Sequence, residues 1–216
     1  MTDKEKALEA VRILSEHVRS DCALESDEDP WRLLVMARLS AQCTDARVNA
    51  VCTDLFRKYK NAAEMAASDI HELEEAVKSC GLYRTKAANL KAMSQIISEK
   101  YGGRVPEDMD ALLALPGVGR KIANLIRGDV YGLGGIVADT HCIRICGRLG
   151  FYPETLKDAV KVEKILDPLI PKAEQTAFCH RIVWFGRDVC CARSPRCEGC
   201  PLSQLCSHHL ASCRSE

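Results

Sequence analysis

Apolar residues in this chain recur at helical spacing almost from end to end, and no stretch alternates convincingly as a strand requires. Residues 4–19 place Ala7, Leu8, Val11, Ile13, Leu14 and Val18 on one stripe, the pattern of an amphipathic helix. Residues 31–42, WRLLVMARLSAQ, are apolar enough for a buried helix, and Arg38 interrupts them. Further helical segments run over 46–58, 61–66, 69–77, 84–100, 107–114, 120–132, 140–149, 155–169 and 173–186. Breakers separate them, among them Gly81, Gly102, Pro106, Pro116, Gly132, Pro153, Pro168 and Pro171. The pattern predicts an all-α fold ending in a short metal-binding loop.

Composition narrows the class. A chain of 216 residues, 47% hydrophobic and 28% charged, can bury a sizeable core and is neither disordered nor fibrous. It has no long uncharged apolar run, so no membrane-crossing helix is expected. The opening MTDKEKALEAV carries charge where a leader peptide is apolar, which points to the cytosol. Thirteen cysteines in such a chain suit buried thiols and a metal site better than a disulfide framework. Thirty basic and thirty acidic residues cancel, so net charge itself offers no hint of a nucleic-acid partner. The distribution is uneven, however. Residues 1–30 hold nine acids against four bases, whereas residues 113–150 hold five bases against two acids. One face of a neutral chain can still be basic.

Four stretches carry chemistry. The first is Leu115-Pro116-Gly117-Val118-Gly119-Arg120-Lys121, between two predicted helices. Its glycines permit a tight turn and close approach of another backbone. The turn opens onto a helix N-terminus, whose N–H groups suit a phosphate. Such a hairpin grips a DNA backbone without reading its sequence.

The second is Lys121 with Asp139. The positive end of a helix, together with desolvation, would lower the pKa of Lys121, as a nucleophilic amine needs. Asp139 stands before the helix 140–149, where an aspartate is ordinarily an N-cap. A glycine-rich reversal at Gly132, Gly134 and Gly135 would return Asp139 beside Lys121, pairing an amine with a carboxylate. The third is Cys190-x6-Cys197-x2-Cys200-x5-Cys206, four thiolates within 17 residues, suited to zinc or a [4Fe–4S] cluster. Cys191 adjoins this set, and Cys213 lies beyond it. The fourth comprises Gln42, at the end of a buried helix, and Leu82, in the turn Gly81-Leu82-Tyr83. Both sites are ordinarily helix ends and core packing, but such side chains also serve as wedges between bases.

Taken together, these motifs resemble the helix–hairpin–helix DNA glycosylase superfamily, and within it the endonuclease III family. The resemblance runs from about Trp31 to Cys206, and the N-terminal helix fits too. The hairpin, Val-Ala-Asp-Thr-His and the cysteine spacing occur in the family's order and at its separations. Arg38 departs from the pattern, standing where the family has a hydrophobic residue. Residues 31–42 lack the glutamate of the related adenine-mismatch enzymes, and Lys121 is present; both favour the lyase-active branch.

The resemblance implies a bifunctional enzyme of base excision repair that removes oxidised pyrimidines and nicks the strand. Lys121 would form the Schiff base and Asp139 would be the catalytic aspartate. Cys190, Cys197, Cys200 and Cys206 would bind one [4Fe–4S] cluster. Gln42 and Leu82 would fill the gap left by an extruded nucleotide, with His141 lining the pocket. The hairpin residues Leu115, Gly117, Val118, Gly119 and Arg120, and the loop residues Arg193 and Arg196, would meet DNA. The partner would be double-stranded DNA with a damaged base or an abasic site, bound by a monomer in the cytosol, with no membrane involved. Two helical domains are expected, 23–133 and 1–22 with 134–216, sharing a cleft. The rival readings are a glycosylase for mismatched thymine or uracil and a DNA-binding module without catalysis.

Overall fold

Most helices begin where the sequence places a side-chain oxygen to take up the first free N–H groups. In this computed structural model, which describes residues 1–212, Thr2 caps α1 (Asp3–His17) and Asp29 caps α2 (Pro30–Leu39). Thr44, Asn61 and Asp69 cap α3 (Asp45–Lys58), α4 (Ala62–Ala66) and α5 (Ile70–Val77). Asp108 does the same for α7 (Met109–Leu113), Asp139 for α9 (Thr140–Leu149) and Asp158 for α10 (Ala159–Leu166). No side chain caps α6 (Tyr83–Tyr101), α8 (Arg120–Asp129) or α11 (Lys172–Asp188). A short α12 (Ser207–Ser212) follows. The described residues contain no strand, so the fold is all-α as expected. None of their helices is long and apolar enough to cross a membrane.

The chain forms two units, one of residues Cys22–Tyr131 and one assembled from Met1–Asp21 with Gly132 onward. The contiguous unit is built around α2, which buries Leu33, Leu34, Val35, Met36 and Leu39. Around it stand Leu73, Leu90, Met93, Leu112 and Ile126 of α5 to α8, all buried. In the assembled unit, Ala7, Ala10 and Leu14 of α1 share a core with Ile145, Leu149, Phe178, Ile182 and Phe185. The N-terminal segment is fastened further where the Trp184 indole N–H donates to the Asp21 carbonyl at 2.9 Å. The Arg19 guanidinium also lies 3.4 Å from the Trp184 ring centre.

Several boundaries differ from the sequence expectation, among them the end of the helix expected over 120–132, which stops at Asp129. The helix expected over 31–42 stops at Leu39. The Leu39 carbonyl accepts from the Lys86 ammonium at 2.8 Å, while the Cys43 N–H turns to Ser40 at 3.1 Å. The helix expected over 155–169 begins only at Ala159, because Asp158 takes the first N–H groups and Leu156 is held in a turn from Pro153. The terminal loop is more ordered than expected, with a 3-10 turn at Ser203–Leu205 before α12. Cys213 lies outside the described residues.

Candidate active site and cysteine loop

The hairpin is a turn whose glycine cannot be replaced without a clash. Gly117 has φ +77, and a Cβ built there would lie 2.3 Å from Arg38 Nε and 3.0 Å from Asn89 Cγ. Arg38, the departure from the family pattern, therefore neither lies idle nor spoils the apolar helix. Its stem packs beneath the hairpin, and its terminal N–H₂ donates to Asn89 at 3.4 Å. Leu115 and Val118 are buried in the core, so the turn presents main chain to the outside, not those side chains. Gly119 starts α8 with no capping side chain, the arrangement that favours an anion at a helix N-terminus. Gly119, Arg120 and Lys121 are exposed. Packing of the protein does not bury Lys121, so the desolvation expected from sequence is not supplied by the chain itself.

Asp139 is an N-cap in fact: its Oδ1 accepts from the Cys142 N–H at 2.8 Å. It is half-buried, as is His141 on the first turn of α9. Gly186 of α11 makes room for that histidine, since a Cβ there would lie 2.3 Å from His141 Nδ1. Arg144 completes the cluster, approaching His141 Nδ1 at 3.2 Å and donating to the carbonyls of Gly186 and Cys190.

Gln42 and Leu82 share an unusual backbone. Both are left-handed without being glycine, at φ 54 and φ 46. Leu82 is 60% exposed, rare for a leucine in a turn with a core to join. Gln42 is exposed too. Neither is the ordinary core packing that sequence alone favours.

Cys190, Cys197, Cys200 and Cys206 line one pocket, walled by Ile145, Leu149, Phe185 and Leu202. Burial, then the neighbouring sulfurs, push the Cys200 thiol above its usual value. The Cys191 thiol is used elsewhere, donating to the Arg187 carbonyl at 3.2 Å. Arg148, 8% exposed, donates to Cys190 Sγ at 3.2 Å and to the carbonyls of Cys191 and Ala192 at 2.8 Å each. Sequence reasoning passed over Arg148 and the fully buried Lys86. The signal was there: Lys86 falls in register with Leu90, Met93 and Ile97, and Arg148 lies beside Ile145 and Leu149, on stripes that are otherwise apolar.

A glycine hairpin opening a helix, with a four-thiol loop in an all-helical chain, is the build of a base-excision repair protein. The profile of the HhH-GPD superfamily of base excision DNA repair proteins matches residues 35–172. Endonuclease III of Bacillus subtilis is 48% identical over 179 residues, 82% of this chain and 81% of the relative. The Synechocystis endonuclease III is 41% identical over 97% of this chain and 95% of its own. A solved trapped endonuclease III–DNA covalent intermediate superposes with a TM-score of 0.90 at 39% identity, covering 99% of this chain and all of that one. The chain belongs to the HhH-GPD superfamily, and its enzyme type is that of endonuclease III, a DNA glycosylase with lyase activity.

Proposed function

We propose that Lys121 is the nucleophile and Asp139 its acidic partner in a bifunctional DNA glycosylase and AP lyase that acts on oxidised pyrimidines. One observation carries this reading: Lys121 is exposed on the first turn of α8, directly after the hairpin suited to hold a phosphate. Its amine would attack C1′ of an extruded nucleotide, and the bond from C1′ to the base nitrogen would break. Asp139 would receive the proton shed by the amine and stabilise positive charge on the sugar. Its Oδ1 is committed to the helix cap, which leaves Oδ2 for this task. The resulting iminium acidifies the 2′ proton. Loss of that proton expels the 3′ phosphate and cuts the strand.

In this reading the partner is duplex DNA with a damaged base or an abasic site, bound by one chain in the cytosol. Main-chain groups of the hairpin hold the phosphate, Gln42 and Leu82 fill the vacated stack, and His141 lines the base pocket. Arg120, Arg193 and Arg196, all exposed, face the backbone.

The four cysteines would hold one [4Fe–4S] cluster, which when bound supplies a rigid cross-link for the loop between Cys190 and Cys206. The donor set fits. All four sulfurs face one pocket, yet among the described residues no three of them come within 4.8 Å of one another. A single tetrahedral zinc draws thiolates to about 3.8 Å, from bonds of about 2.3 Å.

The test presents duplexes bearing thymine glycol, an abasic site, uracil or mismatched thymine, each trapped with borohydride. Adducts with the first two are expected. Adducts confined to uracil or thymine mispairs would move the substrate class. No adduct at all, with binding intact, would leave a DNA-binding module.

A further inference from the structure

Lys86 is a charged side chain with no exposure at all, set one turn into α6 in the middle of an apolar layer. Burying an ammonium is costly unless its donors are well used. Here they are. Its Nζ donates to the Leu39 carbonyl at 2.8 Å and to the Cys80 carbonyl at 2.8 Å. These two acceptors come from different elements. Leu39 ends α2, and Cys80 ends the 3-10 turn of Lys78–Cys80. Three residues past Leu39 stands Gln42, and two past Cys80 stands Leu82, both left-handed and both exposed. Burial, then the nearby Cys43 thiol, push the Cys80 thiol up to about 11, so the two turns lie close together.

Left-handed backbone at a residue other than glycine is strained and persists only where its surroundings over-determine it. No capping side chain holds Leu82 at the start of α6. A neutral residue offering a single N–H could not bond both carbonyls, whereas an ammonium has three donors. Burial pushes this ammonium below its usual pKa, yet both acceptors keep it supplied with partners.

We propose that Lys86 is the positioning residue for DNA gap filling, locking from within the two strained turns that aim Gln42 and Leu82 outward. The proposal rests on the reading of Gln42 and Leu82 as gap fillers, and the test separates the two. A duplex carries a reduced abasic-site analogue opposite 2-aminopurine, whose fluorescence rises when the opposing base is unstacked. Anisotropy of the same duplex reports binding.

With saturating parent protein the fluorescence should rise. Lys86→Met should bind within about threefold of the parent, yet lose most of the rise, matching Gln42→Ala/Leu82→Ala. Adding Lys86→Met to that double variant should change little further, because the two act as one unit. A full rise with Lys86→Met overturns the proposal. So does a loss of binding in step with a lowered Tm, which marks the lysine as merely structural. Should the methionine variant not fold, Lys86→Gln, uncharged and with its two donors on a stem one bond shorter, should give only part of the rise; a full rise would show that the ammonium is not the lock and overturns the proposal. If Gln42→Ala/Leu82→Ala itself keeps the full rise, the gap-filling reading fails on its own.

Discussion

Asp139 shows how one carboxylate can satisfy two descriptions at once. It caps α9 through Oδ1, as an aspartate before a helix ordinarily does, and in the proposed mechanism it also receives a proton. Substitution separates the roles. Asparagine caps as well as aspartate, so Asp139→Asn should leave thermal stability within about 0.5 kcal/mol of the parent. The charge is lost, so single-turnover cleavage of an abasic duplex should fall about a hundredfold or more. Lys121→Gln should abolish both cleavage and borohydride trapping while DNA binding persists. Near-normal cleavage by Asp139→Asn would reduce this residue to a cap, and a trapped adduct with Lys121→Gln would require another amine. At this scale the sequence was legible where spacing sets local structure, as for Asp139 capping α9 and the four cysteines lining one pocket. It was mute where tertiary contacts decide. That Leu82 stands out in solvent depends on a left-handed φ, and that Arg38 sits beneath Gly117 depends on a turn 79 positions further along the chain. Desolvation of Lys121 was misjudged because periodicity does not say what covers a helix start.

The helices themselves were largely readable, since Asp, Thr or Asn stands before most of them and sets where they begin. At the end of α2 the boundary slipped because a side chain from elsewhere, Lys86, takes the Leu39 carbonyl, and at α10 because a local cap and turn take the first residues. The cysteine loop was legible as four ligands and little else; its 3-10 turn and α12 carry too few residues to show a period. That loop leaves Arg193 and Arg196 exposed, and the Arg196 N–H donates to the Val189 carbonyl at 2.9 Å. If each meets a phosphate, Arg193→Ala/Arg196→Ala should flatten the plot of log affinity against log salt by about 0.9 per lost contact. Folding and trapping at low salt should be preserved. An unchanged slope would mean that DNA passes elsewhere.

The thiol loop belongs to the unit that gathers α1, α9, α10, α11 and α12, so the proposed metal group should bear first on that unit's stability. Protein purified without oxygen should contain about four irons per chain. Stripping them should speed amide exchange in α9, α11 and the loop far more than in residues 22–131. Stoichiometric zinc without iron, or even acceleration across both units, would contradict this. The same division has a consequence for biosynthesis. The unit of residues 22–131 has its whole core in one stretch and can condense as soon as it leaves the ribosome. Helix α1 emerges before it, yet the partners of Ala7, Ala10 and Leu14 include Phe178, Ile182 and Phe185. At translation rates of about 5–20 residues per second, that apolar stripe waits roughly ten to thirty seconds for its cover. Acidic residues flank the stripe, Asp3, Glu5, Glu9 and Glu16 among them, so the waiting helix carries charge beside its apolar face.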